Sequence, residues 1–84
     1  MQVSGWRSEA RDGVTTLVRT WTFPDWAGAI AFVNAVSAVA EAQQHHPLVE
    51  LTWGRVTCRV WTHDVKGLST LDEKLCLAIN ALSS

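Results

Sequence analysis

Glu41-x-x-x-His45-His46-Pro47 is followed by Trp53, His63 and Asp72, at gaps of five, nine and eight residues. Every histidine of the chain lies in this block. Imidazole has an ordinary pKa of roughly 6.5, so it gives or takes a proton near neutral pH. Three imidazoles with carboxylates at 41 and 72 are the makings of general acid/base chemistry on a bound ligand. Glu41 stands one helical turn before His45, so its carboxylate is expected to reach that imidazole and orient it. Asp72 stands three residues after Ser69, where it is expected to cap a helix, to orient a ring, or both. Taken singly, each residue has a plainer reading. A histidine past a helix end caps carbonyls, and an exposed helix glutamate is a solvated charge. The chain has no glycine-rich phosphate loop, no Cys-His spacing typical of zinc and no Ser-His-Asp set, so no metal and no phosphate-bearing cofactor are expected.

These residues need elements to position them. Residues 5–10 read as a short strand, Arg11-Asp12-Gly13 as a turn and residues 14–23 as a second strand. Leu17, Trp21 and Phe23 share one face of that strand, interrupted by Arg19. Pro24 and Asp25 open a helix that runs to about Gln44, with Pro47 as its stop. Fifteen residues without a charge separate Asp25 from Glu41. Trp26, Ile30 and Val33 form one apolar stripe there; Phe32, Ala35 and Val39 form another. One sheet covers only one face, so the second predicts a subunit contact and a homo-oligomer. Residues 48–53 and 55–63 read as a hairpin about Gly54, with His63 on the polar side of the second arm beside Trp61. Ser69 opens a last helix with the stripe Leu71, Leu75, Ile79 and Leu82. The order β-β-α-β-β-α predicts an α+β fold, a four-stranded antiparallel sheet with two helices on one face. The 84 residues are expected to form one domain.

Composition narrows the function. Net charge is −1, and the seven Lys and Arg are scattered, which disfavours direct nucleic-acid binding. The apolar helix is too short, and too interrupted by Asn34 and Ser37, to span a membrane. Met1-Gln2-Val3-Ser4-Gly5 lacks a basic region followed by an apolar one. Cys58 and Cys76 sit in apolar runs and read as free buried thiols. A cytoplasmic, reduced protein is therefore expected.

The spaced set Glu41, His45, His46, Pro47, Trp53, His63 and Asp72 resembles the signature of the pterin-4a-carbinolamine dehydratases, also known as dimerisation cofactors of a homeodomain transcription factor. Gly5-Trp6, Ala40-Glu41, Trp61-Thr62-His63-Asp64 and Gly67-Leu68-Ser69 agree, so the likeness covers essentially the whole chain. The resemblance implies removal of water from a 4a-hydroxytetrahydropterin to give quinonoid dihydropterin, in recycling of a tetrahydrobiopterin-type cofactor. It implies no metal or organic cofactor, a reduced pterin as substrate, and dimers or tetramers. It assigns catalysis to His45, His46, His63, Asp72 and Glu41. It assigns substrate contact to Gln44, His45, His46, Pro47, Trp61, Thr62, His63 and Asp64. Two departures stand out: the family's helix before the Gly-Trp strand is absent, and Trp53 replaces a frequent Tyr. The alternative is a non-catalytic assembly factor or transcriptional coactivator on the same fold, since fold does not fix function.

Overall fold

A few residues set the element boundaries. The computed structural model describes residues 1–83. Strands β1 (Arg7–Arg11) and β2 (Val14–Thr22) are joined by a two-residue turn. Asp12 and Gly13 both take positive φ there, 53° and 80°, the geometry that matches strand twist. Asp25 caps helix α1 (Trp26–Gln43), its Oδ1 accepting from the Gly28 N–H at 2.7 Å. Strands β3 (Leu48–Thr52) and β4 (Arg55–Val60) form the second hairpin. Gly54 at its turn has φ 75°, and a Cβ there would lie 2.7 Å from the Phe23 carbonyl oxygen. That position requires glycine on two counts. A 3-10 turn (His63–Val65) leads into helix α2 (Thr70–Leu82).

The sheet order is β1-β2-β4-β3, with every neighbouring pair antiparallel. The hairpins meet along β2 and β4, where Leu17 faces Val60 and Trp21 faces Val56. Both helices pack with these side chains into one cluster, so the α+β fold is the one expected. Leu75 and Ile79 of α2 are fully buried, which stabilises the fold by about 1.5–3 kcal/mol each. Cys58 of β4 and Cys76 of α2 are free and buried in the same cluster. Burial pushes both thiols up to about 12, with the charge of Asp72 adding to the effect at Cys76.

Each helix turns inward only part of the face expected. α1 buries Ala29, Phe32, Val36 and Ala40, a line between the two stripes read from the sequence. Alanines at 29 and 40 let the backbone approach closely, a feature that a search for large apolar residues passes over. Trp26 is 49% exposed. α2 buries Asp72, Leu75, Cys76 and Ile79, while Leu71 and Leu82 of the expected stripe are 48% and 37% exposed. The inward bonds of Asp72 rotate that helix. Arg19, which interrupts the apolar face of β2, bends away to donate to Asn80 Oδ1 at 2.7 Å and lies over the Trp21 ring. Asn80 also accepts from Trp6 Nε1 and donates to the Ser4 carbonyl, which pins the segment before β1 to α2. On the uncovered sheet face, Arg59 donates to Thr16 Oγ1 and Glu9 Oε1. The Arg59 guanidinium holds the Glu9 carboxyl below the usual carboxylate range.

Candidate active site

The end of α1 is built by its backbone rather than by Pro47. Gln44 takes the left-handed conformation, φ 53°. The Gln44 N–H donates to the Glu41 carbonyl and the His45 N–H to the Ala40 carbonyl, the paired bonds of a Schellman motif. The helix has thus ended three residues before Pro47. This reversal sends adjacent histidines in different directions. His46 Nε2 pairs with Glu41 Oε1 at 2.7 Å, with both side chains exposed. Glu41 was expected to reach His45; the left-handed turn carries His45 beyond it and brings His46 there instead.

His45 has a buried partner. Its Nε2 lies 2.7 Å from Oδ1 of Asp72, whose side chain is fully buried. The other oxygen, Oδ2, accepts from Thr62 Oγ1 at 2.7 Å and from the Ser69 N–H at 2.9 Å. Ser69 caps α2 through its own Oγ, and with Asp72 completes a capping box. The two expectations for Asp72 thus coexist in one side chain. Three donors satisfy a carboxylate that would be costly to bury alone.

His63 arrives by another route. The arm expected to run through residue 63 ends at Val60. The chain then closes on itself, with the Thr62 N–H on the Gly67 carbonyl at 2.7 Å and the Lys66 N–H on the His63 carbonyl at 3.0 Å. The exposed His63 ring stands on this turn, and among the described residues its imidazole makes no hydrogen bond or ion pair.

A cleft of about 460 Å³ opens between these elements, lined by Gln44, His45, His46, Trp61, Thr62, His63, Asp64 and Leu71. Of the residues expected to contact substrate, Pro47 alone does not line it; of the expected catalytic set, Glu41 and Asp72 stand behind the histidines rather than on the cleft wall. Leu71 was assigned to the core by its helical spacing; nothing in the sequence marks it as a wall. Trp53 is 68% exposed at the β3–β4 turn and takes no part. Another hollow, of about 520 Å³, lies between the N-terminal segment and the sheet but contains no imidazole. Among the described residues, no three His, Cys, Asp or Glu side chains converge as a metal site. No helix of the described residues is long and apolar enough to cross a membrane.

A carboxylate-held imidazole and a free one in a single cleft, on an open β1-β2-β4-β3 sheet backed by two helices, define a small α+β protein equipped for proton transfer. Residues 1–82 match the family model described as pterin 4 alpha carbinolamine dehydratase, and the chain belongs to that family. A "Putative pterin-4-alpha-carbinolamine dehydratase" of Syntrophotalea carbinolica is 41% identical over 81 residues, 96% of this chain and 72% of its own length. One of the same name from Chlorobium limicola is 44% identical over 71 residues, 84% of this chain and 63% of its own length. The crystal structure of a transcriptional coactivator/pterin dehydratase from Brucella melitensis superposes with a TM-score of 0.84 at 30% identity. That match covers 96% of this chain and 84% of the other. A pterin dehydratase-like protein identified as a RuBisCO assembly factor in the alpha-carboxysome superposes with a TM-score of 0.80. At 18% identity over 95% of this chain and 90% of the other, it attests the fold alone.

Proposed function

We propose that the protein is a dehydratase that converts a 4a-hydroxytetrahydropterin to quinonoid dihydropterin and water. The observation that carries this is the pairing of His45 and His63 across one cleft, the first on a buried carboxylate and the second unencumbered. A cleft of about 460 Å³ lies within the range of about 300–1,000 Å³ usual for small-molecule sites. Trp61 and Leu71 offer apolar walls for a bicyclic ring.

The reaction needs a base for the N5 proton and an acid for the C4a hydroxyl. The Asp72 carboxylate accepts the Nε2 hydrogen of His45 and orients that ring, which suits His45 to take the N5 proton. His63, whose ring has no competing partner among the described residues, donates a proton to the departing hydroxyl. The C4a–O bond breaks, the electrons of the N5–H bond form C4a=N5, and water leaves. The protein is restored when a proton returns from His45 to His63 by way of solvent. His46 lines the site, where it holds substrate, and Glu41 orients its ring. The setting is recycling of a tetrahydrobiopterin-type cofactor in the cytoplasm, by a homodimer or homotetramer joined in part through the outward face of α1.

Stopped-flow absorbance with chemically generated carbinolamine tests this. His45→Ala and His63→Ala should each lower kcat by about 100- to 10,000-fold, the usual worth of a general acid or base, with circular dichroism unchanged. Wild-type turnover in both variants would end the reading. A second reading, a protein-assembly or coactivator role, draws on the outward face of α1 and its half-exposed Trp26. It predicts a stoichiometric partner protein and no pterin turnover.

A further inference from the structure

Thr62 and Ser69 form the floor beneath His45. The hydroxyl of Thr62 has one hydrogen, and it goes to Asp72 Oδ2 at 2.7 Å. Thr62 Oγ1 also lies 2.6 Å from Ser69 Oγ, so in that contact Ser69 is the donor. Ser69 Oγ accepts in turn from the Leu71 N–H at 3.3 Å, and the Ser69 N–H donates to Asp72 Oδ2. Every hydrogen in the chain therefore has an assigned place, and each points toward Asp72. With Oδ2 occupied by two donors, Oδ1 is left as an acceptor facing His45 Nε2. Whether the ring is neutral or protonated, Nε2 carries a hydrogen. Thr62 is also the residue whose backbone closes the His63 turn on Gly67. One residue thus fixes the support of the first imidazole and the stem of the second.

We propose that Thr62 and Ser69 are positioning residues for His45. They fix the Asp72 carboxylate with Oδ1 on His45 Nε2, so that the ring proton stays on Nε2 and Nδ1 is left as the acceptor nitrogen. The proposal rests on the dehydratase reading for the identity of the ligand, and on hydrogen-bond geometry alone for the tautomer. It also removes the Thr62 hydroxyl from the groups free to donate to substrate, although Thr62 lines the cleft.

The test combines long-range 1H–15N correlation spectra of the labelled protein with stopped-flow kinetics. Spectra are taken at pH about 8, where an ordinary imidazole is neutral. The wild-type His45 ring should be a single Nε2–H tautomer. Thr62→Val, which removes the hydroxyl at nearly constant shape, should admit the Nδ1–H form. It should also lower kcat by about 10-fold or more with KM unchanged, as loss of an orienting partner does elsewhere. Thr62→Ser should restore both. Ser69→Ala should move both readouts in the same direction and serves in place of Thr62→Val if that variant does not fold. A wild-type Nδ1–H ring overturns the proposal. So does an unchanged tautomer in the variants, or a rise in KM at constant kcat, which would make Thr62 a substrate contact. If the carbinolamine is not turned over at all, the dehydratase reading fails while the tautomer spectra still decide this proposal.

Discussion

Replacing Asp72 with asparagine changes one atom and should reverse the hydrogen-bond logic of the site. Two donors, the Thr62 hydroxyl and the Ser69 N–H, meet at Oδ2, so the asparagine carbonyl settles there. The amide nitrogen then occupies the place of Oδ1, 2.7 Å from His45 Nε2, and donates to it. Nε2 must accept, the ring proton moves to Nδ1, and Nδ1 loses its free lone pair. In catalytic triads an Asp→Asn change with this effect lowers kcat about 10,000-fold, or about 5 kcal/mol of barrier. The fold also suffers. One charge-assisted hydrogen bond is lost, and the second amide hydrogen is buried without a partner, each worth about 1–3 kcal/mol. Relief from burying a charge offsets part of this, which leaves a net loss of about 2 kcal/mol. For a domain of this size that lowers Tm by about 8–16 °C. Stopped-flow turnover at a temperature well below the new Tm measures the catalytic part, and a thermal melt the rest. A folded Asp72→Asn protein with kcat within tenfold of wild type would refute the idea that His45 works through its tautomer.

Three further outcomes follow from the backbone and the core. Gln44 holds a left-handed conformation without glycine's freedom, so Gln44→Gly should be more stable than Gln44→Ala by about 1 kcal/mol; urea titrations would show it, and the opposite order would contradict the helix end described above. Cys58 and Cys76, with thiols pushed up to about 12, should react about a thousandfold more slowly with a thiol reagent at pH 8 than in urea. The unfolded chain gives up these protons first, so stability should fall as pH rises from about 9 towards 12. A Cys58→Ala/Cys76→Ala variant should lose part of that slope, and an equal slope in both proteins would count against the burial argument.

The order of elements and the open antiparallel sheet were legible because each boundary carries a strong local signal, such as Asp12-Gly13, Asp25, Gly54 and Ser69. The spacing of His45, His46, His63 and Asp72 was legible as a set with chemistry in it. What escaped was orientation. Gln44 gives no warning that it takes the conformation usually left to glycine, so the partner of Glu41 was misjudged by one residue. His63 continues an alternating pattern, and only the closure of Thr62 on Gly67, a contact across five residues, ends the strand early. Leu71 is a leucine at core spacing, yet Asp72 next to it turns inward for hydrogen bonds and leaves Leu71 facing the cleft. In each case polar contacts, local or distant, outweighed the pattern read from the sequence, and such contacts leave no periodic trace.

The side chains that line the cleft all fall between positions 44 and 71. The hairpin of β1 and β2 supplies none of them, although it forms half the sheet. Cleft and scaffold are therefore divided along the chain. The turn at Asp12 and Gly13 is exposed, while the chain's opening and closing segments are held side by side through Ser4, Trp6 and Asn80. A circular permutant opened at that turn, with the former ends bridged, would carry the whole cleft-lining stretch unbroken in its interior.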